Sequence, residues 1–78
     1  MSEFTIYETL KEAYHSSTRN SNRFLEALNM VNWDETFRAD GEHYFCKGNL
    51  IFTTPSLDPF AMNWKPSMMF ADGSCVEL

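Results

Sequence analysis

The period of apolar and polar positions changes once along the chain, near Trp33, and divides it into a helical part and an extended part. In "TIYETLKEAYHSS", Ile6, Tyr7, Leu10, Ala13 and Tyr14 recur at helical spacing, so a helix gathers them into one stripe. Thr5 with Glu8 three residues later fits a capping box, which predicts the helix start. The polar run "HSSTRNSN" breaks the stripe, because Ser, Thr and Asn side chains compete for backbone hydrogen bonds. A second helix is predicted over about 20–31, with Phe24, Leu25, Leu28 and Val31 inward and Asn20 or Ser21 as its cap.

Beyond Trp33 the pattern alternates. "TFRADGEHYFCKGNLIFTT" contains Asp40-Gly41 and Gly48-Asn49, dipeptides that tolerate the positive φ angles of two-residue hairpin turns. They predict a meander of strands at about 34–39, 42–47 and 50–54. Asp72-Gly73 repeats the device and predicts a second hairpin at about 67–71 and 74–78. The predicted fold is α+β in the order ααβββ-ββ: one domain over 1–78, with two helices on one face of an antiparallel sheet of about five strands.

Two-residue turns place Phe37 opposite Tyr44, Phe45 opposite Phe52 and Cys46 opposite Ile51. Alternation then groups Trp33, Phe37, Tyr44, Cys46 and Ile51 on one face. Thr36, Arg38, His43, Phe45, Lys47, Leu50 and Phe52 share the other. The first face is the more apolar, so the helices are expected there, with Phe37, Tyr44 and Ile51 buried against Leu10, Tyr14, Phe24 and Leu28. The connection "PFAMNWKP", bounded by Pro59 and Pro66, should stay out of the sheet. It is long enough to lay Phe60, Met62 or Trp64 over Phe45 and Phe52, either as a lid on the core or as part of a recognition patch. Trp64 is the expected anchor, since its ring buries a large area while its N–H reaches a carbonyl.

Composition sharpens this picture. Seven Phe, three Tyr and two Trp are many for 78 residues to hide, which points to some at an interface. Eleven acids against six bases give a net charge of −5, opposed to general binding of nucleic acid or anionic membrane. No segment reads as a signal peptide or a membrane span, and two cysteines do not make a disulfide framework. A cytoplasmic, reducing environment is the expectation.

The chemistry-bearing residues do not converge on paper. "HYFC" sets His43 and Cys46 three apart, and in a strand that odd spacing sends them to opposite faces. Zinc needs about four ligands, which here would have to come from separate elements. Cys46 reads as a small core residue, and His15 as a favourable charge near a helix C-terminus. The adjacent Asp34 and Glu35 diverge in the same way. Glycine-rich phosphate loops, G-x-S-x-G and H-E-x-x-H are absent from the sequence. No catalytic residue, metal or cofactor is therefore expected.

Phe45 and Phe52, rimmed by Arg38, His43 and Lys47, have the chemistry of a base-stacking platform, but the charge and element order oppose RNA binding. Glu3, Glu8, Glu12 and Glu26 form an acidic helical surface, too sparse to imitate a phosphate track. By elimination the expected function is a small acidic protein–protein interaction module, with Phe45, Phe52, Phe60, Met62 and Trp64 as partner contacts. Occlusion of a surface on a larger protein, in the manner of phage- or plasmid-encoded inhibitors of host defence, is the mode expected by association. The rival is a structural protein that forms a homodimer through exposed apolar surface or a strand edge.

Overall fold

A computed structural model describes residues 2–16, 22–62 and 64–78. Among these, helices α1 (Glu3–Ser16) and α2 (Asn22–Met30) precede strands β1 (Glu35–Ala39), β2 (Glu42–Lys47), β3 (Leu50–Thr54), β4 (Ser67–Met69) and β5 (Cys75–Glu77). The strands form one antiparallel sheet in the order β1-β2-β3-β4-β5, with both helices on one side. The α+β order expected from the sequence is the order observed.

Helix α1 starts earlier than the Thr5–Glu8 pair indicates. Ser2 is the cap: its Oγ accepts from the Thr5 backbone N–H at 3.2 Å, and the Ile6 N–H closes the first turn on the Ser2 carbonyl. Thr5 lies inside the first turn, where its hydroxyl meets Ser2 Oγ at 2.8 Å. Glu3 takes the acidic first-turn position that suits the helix dipole. The expected cap of α2, Asn20 or Ser21, lies outside the described residues. At the other end of α2, the Trp33 indole N–H donates to the Leu28 carbonyl at 3.0 Å and satisfies one of the helix's terminal acceptors.

The turns set the register. Asp40 and Gly41 both have positive φ (53° and 78°), which gives the two-residue β1–β2 turn and pairs Phe37 with Tyr44. Gly48, at φ 58°, turns β2 into β3 and pairs Phe45 with Phe52 and Cys46 with Ile51. The last hairpin is one residue longer than predicted. Phe70 and Ser74 close a loop of Ala71, Asp72 and Gly73, with the Gly73 N–H on the Phe70 carbonyl and Gly73 at φ 88°. This is a three-residue turn with glycine in the left-handed position. Asp72 stiffens it by accepting from the Ser74 N–H and hydroxyl.

The expected assignment of faces is inverted. The helices cover the face of Leu50, Phe52, Thr54 and Met68, all fully buried, and they bring Ile6, Leu10, Phe24 and Leu28 onto it. Phe45 packs at the edge of this core, against Trp33 and Phe52. Phe37, placed in the core by the sequence reading, keeps 45% of its surface exposed. Two physical reasons account for the inversion. Trp33 precedes β1, so strand alternation does not govern it, and its ring swings onto the covered face beside Phe45 and Phe52. The polar Arg38, His43 and Lys47 sit on β1 and β2, to one side of the sheet, whereas the central strand β3 and its other neighbour β4 carry the fully buried side chains that decide which face is covered.

Candidate interaction surface

Among the described residues, Phe4 and Met30 stand exposed singly on the helices and Val76 on β5, while other exposed apolar side chains gather on the open face of the sheet and at the tip of the 55–66 connection. The connection is held by local bonds. Thr54 Oγ1 and the Trp64 indole N–H both donate to the Ser56 carbonyl. Ser56 Oγ accepts from the Asp58 N–H at 3.0 Å, and Asp58 accepts from Phe60 through its side chain and from Ala61 through its carbonyl. These bonds serve the backbone of a segment that no strand pairs. Trp64 is buried among Tyr14 and Phe24, with ring centroids 6.0 and 5.1 Å away, as the sequence led one to expect of an anchor. Phe60 and Met62 point out, 67% and 93% exposed.

The five expected contact residues therefore separate. Phe52 and Trp64 are fully buried and present no surface, and Phe45 is half-buried against the core. With Phe52 under the helices, the Phe45–Phe52 pair offers no stacking platform. Phe60 and Met62 are accessible, though on the connection rather than beside an open Phe45–Phe52 patch. Of the acidic helical residues, Glu8, Glu12 and Glu26 are exposed. Glu3 is engaged: its carboxylate accepts from the Asn49 N–H at 2.8 Å and ties α1 to the β2–β3 turn. A Cβ on Gly48 would run into that carboxylate.

The open face was missed as a site because it was assigned to the core. Register places Cys46, Ile51, Met69 and Cys75 in one row across β2 to β5, beside the paired rings of Phe37 and Tyr44 with centroids 5.0 Å apart. Leu57, 40% exposed, borders the Phe37–Tyr44 corner. Among the described residues neither helix covers this face, and Phe37, Met69 and Cys75 stand exposed. Face membership alone could have been read from the turns. The signal that chooses between faces is the clean alternation of β3 together with Met68 on β4.

Electrostatics on this surface are one-sided. Glu35 pairs with Cys46, Glu42 with Ala39, and Glu77 with Ser67, so all three carboxylates lie on the open face. Glu42 also accepts from Thr53 Oγ1 at 2.7 Å. Partial burial pushes the Cys46 thiol up from its ordinary pKa, and the charges of Glu35 and Asp34 add to the effect. Asp34 itself is held below the usual carboxylate range by the Gly48 N–H and then by Lys47, whose ammonium lies 3.2 Å away.

Strand β2 sends His43 and Cys46 to opposite faces. Among the described residues no group of three or more His, Cys, Asp or Glu side chains gathers as metal ligands would. No helix among them is long and apolar enough to cross a membrane. Compared with known protein families, curated proteins and solved structures, the chain matches none.

Proposed function

We propose that the protein is a non-catalytic protein–protein interaction module that docks a larger protein on the open face of its sheet. The observation that supports the reading is the row Cys46, Ile51, Met69 and Cys75 beside Phe37 and Tyr44, left uncovered in a chain small enough to need its apolar side chains inside. Exposed apolar side chains bordered by polar ones are the anatomy of a protein interface. Inhibition or regulation by occluding the partner's surface fits a domain that offers an open sheet face. Phe60 and Met62 form a separate exposed tip, open to a secondary contact.

Self-association is the second reading. It draws on the outer edge of β1, which no neighbouring strand pairs among the described residues. Affinity capture from the source organism separates these. The intact chain is compared as bait with Phe37→Ser/Met69→Ser and with Phe60→Ala/Met62→Ala, alongside the solution mass of each. The proposal expects a monomer whose stoichiometric partner is lost only with the Phe37/Met69 pair. Loss only with the Phe60/Met62 pair moves the contact to the connection, and a dimeric mass favours self-association.

A further inference from the structure

We infer that the partner surface docked on the open face is apolar at its centre and carries lysine or arginine at its rim. This rests on the reading of that face as the contact surface and adds the chemistry of what it meets.

The argument comes from where charge lies. Every charged side chain that register places on the open face is acidic: Glu35 on edge strand β1, Glu42 at the far end of β2, and Glu77 on edge strand β5. Glu35 ends the apolar row where it pairs with Cys46, and Glu42 and Glu77 lie in the neighbouring rows. The basic residues on described positions lie elsewhere. Arg38, His43 and Lys47 alternate to the helix-covered face, Lys11 and Arg23 ride the helices, and Lys65 belongs to the connection. Lys47 is also engaged with Asp34. The face thus has an apolar row with the Phe37–Tyr44 pair, the neutral Thr53 and Ser67 beside them, and negative charge toward its margins with no cation among its described residues.

Complementary potentials across an interface fix the register and reject wrong partners. An apolar surface ringed by cations meets both parts of this pattern. A second copy of the chain meets only the first, because it adds three more carboxylates and no cation to the same interface.

A zero-length carbodiimide, which activates a carboxylate as an O-acylisourea that a lysine amine displaces to give the amide and a urea, tests this on the intact chain in lysate of the source organism. The wild type, Glu35→Gln/Glu42→Gln/Glu77→Gln and Phe37→Ser/Met69→Ser are compared at low and high salt, each with its melting curve. Should the serine pair melt early, Cys75→Lys replaces it, since it changes an exposed position and sets a cation on the face.

The expected result is an amide from Glu35, Glu42 or Glu77 to a lysine of another protein. Its yield should fall about tenfold or more in the apolar-face variant and at high salt. Pull-down of the same protein should fall comparably with the glutamine variant. A protein lost with the apolar variant but held equally by the glutamine variant leaves the docking face standing and overturns the cationic rim. A protein held by all variants overturns the docking face itself. Adducts between two copies of this chain, or none at the three carboxylates, also overturn the inference.

Discussion

On the covered face of the sheet Leu50, Phe52, Thr54 and Met68 lose all contact with water, whereas on the opposite face Phe37 and Met69 keep 45% and 40% of their surface exposed. Strand β4 sends Met68 to one face and Met69 to the other, so residue type does not separate them. Position does. The covered residues sit on the central β3 and its neighbour β4, where α1, α2 and Trp64 converge, while Arg38, His43 and Lys47 of that face sit on β1 and β2. In a domain of this size only one face can be covered by so short a pair of helices, so the other is left for a partner or for water.

Truncating the covered face is the most severe way to probe this contrast. Phe52→Ala should cost about 3–5 kcal/mol and Phe37→Ala less than about 1 kcal/mol, measured by urea unfolding. Similar losses at the two positions would erase the distinction. A smaller effect belongs to the turn that joins β2 to β3. Gly48→Ala imposes a left-handed conformation and a collision with Glu3, and should destabilise by about 1–2 kcal/mol in the same assay.

Acid should weaken both hairpins that rely on carboxylate acceptors. Asp34 and Asp72 have pKa values lowered in the folded state, by the Gly48 N–H and Lys47 in one case and by Ser74 in the other. Their stabilisation is complete above the unfolded aspartate pKa of about 3.9 and is lost as pH falls through the lower folded value. Unfolding midpoints followed by tryptophan fluorescence should therefore fall below about pH 4, with a shallower decline in Asp34→Asn. The smallest effect is expected at the loop tip. Phe60→Ala/Met62→Ala should change stability by no more than about 0.5 kcal/mol, while Trp64→Ala in the same connection should unfold much earlier.

Much of the fold was legible because its signals are local. The stripes of α1 and α2 name the residues that enter the core, and the turn dipeptides of the meander fix its register to the residue. Trp64 was readable as an anchor from its chemistry and its place between prolines. The choice of face was not readable from the meander alone, because it depends on Met68 from a distant strand and on Trp33 leaving the alternation. The start of α1 was hidden by two overlapping capping patterns, of which Ser2 prevails. The candidate site suffered most, since a face assigned to the core cannot be considered as surface.

The β2–β3 turn is bound from two directions: Asp34 takes the Gly48 N–H and Glu3 takes the Asn49 N–H. Amides at an exposed turn ordinarily trade their hydrogens with solvent quickly, but these two must first leave a carboxylate. For Asn49, that release frees a side-chain tether between the first turn of α1 and the sheet, elements joined across 46 positions of sequence. Isotope exchange at this one amide therefore times how often the Glu3 carboxylate lets go of the turn, through a reporter that the chain already carries.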